Sequence, residues 1–166
     1  YSLVCADSWL SKEPCIVCYS DIFFESKVVT ELRAFEKAIS LAYDTNWLKL
    51  WRRRFKDPSI DAETFTIDTS GRILDIGAKI SNINKVNGQF MGLFKITPTG
   101  WGEFKRIWLN LPSLQRRRID TTTLLSEIIK ADIEPIYGVP YDGVWGEVDS
   151  VSDLSLYSEN HFRIQI

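Results

Sequence analysis

The chain is poor in histidine, cysteine and net charge. It has one His, His161, three Cys, and 20 Lys and Arg against 22 Asp and Glu, a formal net charge of −2 over 166 residues. So even a balance creates no global field that would recruit nucleic acid or anionic lipid. No apolar run approaches the length of a membrane span, and no signal-peptide pattern opens the chain. Three cysteines, an odd number, suit a reducing compartment rather than a disulfide framework, so the expected address is cytoplasmic. The motifs G-x-x-x-x-G-K-[ST], G-x-G-x-x-G and G-x-S-x-G are missing. With a single histidine near the C-terminus, Ser-His and Cys-His catalysis lose their base. No D-x-D occurs, which argues against a metal-dependent glycosyltransferase. The chain also starts Tyr1-Ser2-Leu3-Val4 without a methionine, which suggests a fragment or the ordered part of something longer.

What the chain does have is an alternation of strand-like and helix-like stretches. Cys15 to Phe24, C-I-V-C-Y-S-D-I-F-F, runs from apolar residues into Asp21. A continuous apolar run suits the centre of a parallel sheet covered on both faces, with Asp21 at the strand's carboxyl end, where α/β sheets bind ligands. Ser26 is placed to cap a helix through about Lys37, and Ala38 to Tyr43 reads as a second strand ending at Asp44. Asn46 is placed to cap a short helix carrying Trp47, Leu48, Trp51 and Phe55. Thr64 to Asp68 and Arg72 to Lys79 form a hairpin around Thr69-Ser70-Gly71. Gly88 to Ile96 is a further strand, followed by a helix with Trp101, Phe104, Trp108 and Leu111 on one face, then a Thr-capped helix bearing Leu124 to Ile129. Ile136 to Pro140 and Val144 to Val148 are the last strands. Ser150-Val151-Ser152-Asp153 has capping-box spacing and starts the last helix. Such alternation with a β-rich insertion predicts a three-layer α/β domain with no internal boundary.

Four constellations carry possible chemistry. Asp21, Glu147 and Asp149 end predicted strands, and together they would offer hard oxygen ligands to Mg²⁺; alternatively, strand-end acids simply cap the next helix. Glu147 and Asp149 lie two apart and should share a face. Cys15-x-x-Cys18 raises zinc or redox chemistry, but a strand points residues three apart to opposite faces and no second pair exists, so buried structural cysteines are expected. Lys79 ends its strand either as a point charge for a phosphate or as a solvated lysine. Trp47, Trp51, Tyr141 and Trp145 could form a cage for a quaternary ammonium or pack in the core. Arg52 to Arg54 and Arg116 to Arg118 read as solvated faces.

In order and spacing, these pieces resemble the nucleotidyltransferase superfamily of sugar-1-phosphate and phosphocholine cytidylyltransferase enzymes. Tyr19-Ser20-Asp21-Ile22-Phe23-Phe24 is similar to that family's G-D-x-x-F, and Ile76-Gly77-Ala78-Lys79 to its strand ending in lysine. Gly88-Gln89-Phe90-Met91-Gly92-Leu93 is similar to G-x-[YF]-x-G-[LI]. Trp145-Gly146-Glu147-Val148-Asp149-Ser150, with Asp153-Leu154, resembles the W-x-E-[IV]-D-x-x-x-D-L ending of the phosphocholine branch, as does Tyr43-Asp44 with Asn46-Trp47.

The resemblance implies a Rossmann-like nucleotide-diphospho-sugar transferase fold with a mixed central sheet, of which residues 1–166 would be the C-terminal two-thirds of one domain. It implies attack of a substrate phosphate oxygen on the α-phosphorus of an NTP, CTP favoured, releasing pyrophosphate. Mg²⁺ would be held by Asp21 with Asp149 or Glu147, Lys79 would sit against the acceptor phosphate, and Trp47 and Trp145 would line the acceptor pocket. The implied partners are the NTP and a small phosphorylated acceptor such as phosphocholine, with neither nucleic acid nor membrane involved; a homodimer is compatible with the sequence, which leaves the oligomeric state open. Two features depart from the family: its N-terminal glycine-rich triphosphate loop has no counterpart here, and Ser20 stands where glycine is usual. The chain by itself is therefore expected to turn over poorly. Two rival readings are a hexose-1-phosphate nucleotidyltransferase and a non-catalytic nucleotide-binding module that kept the fold.

Overall fold

The computed structural model describes residues 2–159, so His161 lies outside the described residues. Its strands are β1 (Cys15–Cys18), β2 (Ile22–Phe24), β3 (Ile39–Asp44), β4 (Glu63–Ile67), β5 (Ile73–Lys79), β6 (Gln89–Ile96), β7 (Ile136–Tyr141) and β8 (Trp145–Glu147). The helices are α1 (Ser2–Cys5), α2 (Asp7–Leu10), α3 (Lys27–Ala34), α4 (Trp47–Arg54), α5 (Pro98–Asn110), α6 (Ser113–Arg116), α7 (Thr121–Ala131) and α8 (Val151–Glu159). A four-stranded sheet has the order β1-β6-β3-β7, in which only β3 and β7 run parallel. Two antiparallel pairs, β2-β8 and β4-β5, flank it. The central sheet is mixed, as the resemblance implied.

Three layers follow from the strand alternation. Ile39, Leu41 and Tyr43 of β3 enter one core with Trp101 and Phe104 of α5 and Leu124, Leu125 and Ile128 of α7, while Ala42 enters the other. That second core holds Val28 and Leu32 of α3, Trp47, Leu50 and Trp51 of α4, and Trp145 of β8. Lys95 of β6 is buried, and its ammonium donates to the carbonyls of Phe35 and Arg33, the favourable position for a cation at the C-terminus of α3.

The structure corrects several sequence expectations. Cys15–Cys18 lies at the edge of the sheet, antiparallel to β6, rather than at its parallel centre. The run is apolar because Cys15 and Val17 pack on one core and Ile16 on the other, so covered faces were legible and lateral position was not. Its cysteines are free and not buried: Cys15 is half-buried and Cys18 exposed. Asp120, not a threonine, caps α7, accepting from the Thr123 amide at 2.6 Å. Helix α3 ends at Ala34, short of Lys37, and neither Ser26 nor Asn46 makes a side-chain cap bond.

The two glycines of the G-x-F-x-G-L segment are explained by close approach. A Cβ at Gly88 would lie 2.4 Å from the Tyr43 ring, and one at Gly92 2.7 Å from the Tyr19 ring. Gly92 also adopts φ +72°, a left-handed conformation that suits glycine. The same strand therefore admits Tyr43 at one end and Tyr19 further along.

Candidate active site

The site is built on the short β2-β8 ladder, where Ile22 faces Glu147 and Phe24 faces Trp145. One more backbone bond, from the Val148 amide to the Asp21 carbonyl at 2.9 Å, carries the pairing past both strand ends. That extension sets Asp21 beside the chain leaving β8. Asp21, Glu147 and Asp149 each present a carboxylate oxygen, and these oxygens lie within 4.8 Å of one another. The three acids that sequence alone scattered over 129 positions are thus one cluster.

Arg54 holds two of them. Its Nη1 donates to Glu147 Oε2 at 3.1 Å, its Nη2 to Asp149 Oδ2 at 2.7 Å, and its Nε to Asp153 Oδ1 at 2.9 Å. The guanidinium is flanked by the rings of Trp51 and Phe55 at 5.4 and 5.0 Å and has 0% exposure. A buried, always-charged fork of this kind suits several carboxylates at once. This corrects the solvated reading of Arg52 to Arg54 for its last member, whereas Arg52 and Arg53 are exposed. Nothing in a single sequence marked Arg54 apart from its neighbours, because the difference lies in which way α4 turns.

Asp153 belongs to α8 and completes the capping box. The Asp153 amide donates to Ser150 Oγ at 3.2 Å, and the Ser150 amide to Asp153 Oδ2 at 3.0 Å. The cap function that competed for Asp149 is thus performed by Ser150 and Asp153. Burial raises the Glu147 carboxyl, the adjacent Asp149 adds to the rise, and Arg54 opposes both. Asp153 is buried as well, yet its bonds from Arg54 and Ser150 outweigh that burial and hold its carboxyl low.

Two cavities adjoin the cluster, and Tyr19 lines both. One, of about 200 Å³, is lined by Tyr19, Trp51, Asp61, Glu63, Phe90, Glu147 and Asp149, among others. The other, of about 420 Å³, is lined by Val17, Cys18, Ser20 and Asp21, with Ser2 and Thr121 across it. Ser20 has no left-handed backbone strain. Lys79 is exposed at the end of β5, where it is the register partner of Glu63. Trp47 and Trp145 are buried at 4% and 3% exposure, and neither lines these two cavities. Trp51, packed against both at 6.0 and 6.1 Å between ring centres, is the indole that does. The expected cage is therefore a packed stack of buried indoles, of which Trp51 reaches the cavity beside the carboxylates. Trp145 instead donates its indole N–H to Asp44 Oδ2 at 2.8 Å. Sequence reasoning missed Tyr19, Asp61, Glu63 and Phe90, which reach the cavity from three separate segments.

The donor set fits a hard divalent cation. Arg54 engages one oxygen each of Glu147 and Asp149, so each carboxylate has a second oxygen, and Asp21 has no ion pair among the described residues. Oxygen-only ligands with room for water are what Mg²⁺ takes. One buried cation against four carboxylates, Asp21, Glu147, Asp149 and Asp153, leaves a local excess of negative charge.

Comparison with known proteins agrees with this architecture. No family model matches the chain. It is 29% identical over 153 residues to a CTP:phosphoglutamine cytidylyltransferase of Campylobacter jejuni subsp. jejuni serotype O:2, covering 89% of this chain and 60% of that protein. The structure superposes with a TM-score of 0.71 on a Bacillus anthracis protein assigned as a glucose-1-phosphate thymidylyltransferase, at 12% identity, covering 99% of this chain and 61% of the other. It superposes with a TM-score of 0.67 on the inositol-1-phosphate CTP transferase of T. maritima, at 20% identity, covering 96% and 60%. The chain thus spans about 60% of the length of the curated relative. Among the described residues no helix is long and apolar enough to cross a membrane. The chain is thus similar in fold to solved nucleotidyltransferases and similar in sequence to a cytidylyltransferase.

Proposed function

We propose that the complete gene product is a cytidylyltransferase that transfers CMP from CTP to a small phosphorylated alcohol such as phosphocholine, releasing pyrophosphate. The observation that carries this reading is the convergence of Asp21, Glu147 and Asp149 within 4.8 Å beside two cavities that share Tyr19. Phosphoryl transfers of this class need positioning and charge neutralisation more than a covalent nucleophile, which agrees with a site of carboxylates. Asp21, Glu147 and Asp149 would hold Mg²⁺, which would neutralise phosphate charge as the nucleophilic oxygen approaches. Arg54 keeps Glu147 and Asp149 oriented. The cavity beside Val17 to Asp21 suits the nucleotide, and the one between Tyr19 and Asp149 suits the acceptor. Lys79, next to Glu63 at the hairpin end, would meet the acceptor phosphate, with Trp47 and Trp145 backing the wall that Trp51 forms.

The curated relative is named for a phosphoglutamine acceptor, so phosphorylated amino-acid amides belong in the same substrate panel as phosphocholine and hexose 1-phosphates. The complete gene product, incubated with CTP, Mg²⁺ and each acceptor, is expected to release pyrophosphate with phosphocholine or a related acceptor. Release with a hexose 1-phosphate alone would replace this reading by the sugar enzyme. No release with any acceptor, together with no calorimetric binding of CTP and Mg²⁺, would leave a non-catalytic module.

A further inference from the structure

Helix α8 starts at Val151, two residues past Asp149, and Asp153 stands in its first turn. Asp153 is buried, and both of its oxygens are taken. Oδ1 accepts from Arg54 Nε at 2.9 Å. Oδ2 accepts from Arg54 Nη2 at 3.4 Å, from the Asp149 and Ser150 amides at 3.2 and 3.0 Å, and from Ser150 Oγ at 2.8 Å. A capping box accounts for the Ser150 bonds. It accounts for neither the guanidinium nor the Asp149 amide.

The pairing with Arg54 is two-pronged. Nε and Nη2 both face the Asp153 carboxylate, which fixes the plane and the rotation of the guanidinium. The outer N–H groups then reach one oxygen of Glu147, from Nη1 at 3.1 Å, and one of Asp149, from Nη2 at 2.7 Å. If the fork were free to turn, Asp149 could occupy its Nε–Nη2 edge with both oxygens and keep neither for an ion. Asp153 also answers the Arg54 charge, so Glu147 and Asp149 keep theirs toward the cluster. One more bond from α8 acts in the same sense: the Tyr157 hydroxyl accepts the Glu147 amide at 3.4 Å. The helix thus holds the backbone at both of these acids.

We propose that Asp153 is a positioning residue for a divalent cation held by Asp21, Glu147 and Asp149. It fixes the Arg54 fork and the Asp149 amide, and so keeps one oxygen of Glu147 and one of Asp149 open to the ion. The inference rests on the reading above that these three acids hold Mg²⁺. Loss of an outer partner of this kind costs about 10- to 100-fold in metal affinity although the ligands themselves are untouched.

The test titrates the complete gene product with Mn²⁺ and reads the free ion by paramagnetic resonance. Asp153→Asn keeps an oxygen for the helix cap but loses the charged two-oxygen partner of the fork. Its Mn²⁺ Kd is expected to rise about 10-fold or more. Ser150→Ala weakens the cap and leaves the Arg54 bonds in place. It should lower the urea midpoint with a nearly unchanged Kd. Arg54→Lys keeps the charge without the fork, and its Kd should rise as that of Asp153→Asn does. An unchanged Kd in folded Asp153→Asn would overturn the proposal. Equal weakening in Ser150→Ala would overturn it too, by reducing Asp153 to a helix cap. Should Asp153→Asn fail to fold, Arg54→Lys decides: a raised Kd upholds the proposal and an unchanged one overturns it. Absence of Mn²⁺ binding in wild type would remove the cation site along with its positioning residue, an outcome distinct from a wild-type site that these substitutions leave unaltered.

Discussion

Arg54 Nε donates to Asp153 Oδ1 at 2.9 Å across 99 residues of sequence, and this bond ties the end of α4 to the start of α8. The same guanidinium reaches Glu147 and Asp149, so one side chain joins helix packing to the carboxylate cluster. Arg54→Met would strand three acids against one another. We expect a loss of about 2–4 kcal/mol, below the full figure for a broken buried ion pair because Asp149 keeps contact with water. Arg54→Lys should fall between, since an ammonium cannot reproduce the fork. Urea denaturation of the three proteins measures the order, and an Arg54→Met variant as stable as wild type would refute it.

Asp21→Asn and Asp149→Asn should each lower pyrophosphate release by about 100-fold or more while leaving the fold intact. Asp21 is exposed and Asp149 half exposed, so neither substitution empties a core position. Binding of Mn²⁺, followed by paramagnetic resonance, should weaken in parallel. Undiminished Mn²⁺ affinity in both variants would mean that the cation sits elsewhere.

Gly92→Ala is a geometric test. The left-handed φ of +72° costs an alanine about 1–2 kcal/mol. The added Cβ would also collide with the Tyr19 ring at 2.7 Å. A lower denaturation midpoint and a raised acceptor KM are expected together, because Tyr19 lines the acceptor cavity. A change in stability with an unaltered KM would remove Tyr19 from that wall.

Acid stability should carry the signature of Asp7. Its Oδ1 accepts from Lys105 Nζ at 2.7 Å, Trp101 Nε1 at 2.7 Å and Ser11 Oγ at 2.9 Å, joining α2 to α5. The Lys105 bond first, then those from Trp101 and Ser11, lower its pKa from 3.8 to about 2. A group depressed in the folded state stabilises fully above its unfolded pKa and loses that contribution as pH falls through the folded one. Asp7→Asn should therefore flatten the decline in stability between 3.8 and about 2, and added salt should shrink the difference because the group is accessible to solvent. Identical acid limbs for both proteins would contradict the linkage.

Much of this arrangement was legible along the chain. The period of two in Ile39, Leu41 and Tyr43, the turn at Thr69 to Gly71 and the S-x-x-D box at Ser150 each rest on local rules, and each appears where expected. The carboxylates Asp21, Glu147 and Asp149 could be nominated because each ends an apolar run. Arg54, Asp61 and Glu63 could not, since all three look like ordinary surface charges in a polar stretch.

The amino-acid sequence by itself determined the alternation of strands and helices and that the sheet is covered on both faces, because propensity, alternation and capping act within a few residues; it did not reveal that Asp21, read as ending a strand, directly precedes a separate short strand, Ile22–Phe24. Only the tertiary structure decided that Cys15–Cys18 is an edge strand, that Trp51, buried like Trp47 and Trp145, is the one of the three that lines the cavity beside the carboxylates, and that Arg54 is buried among three acids. Those outcomes depend on lateral strand order and on the direction in which α4 presents its last turn. Both are set by packing between segments about a hundred residues apart, which no local pattern records.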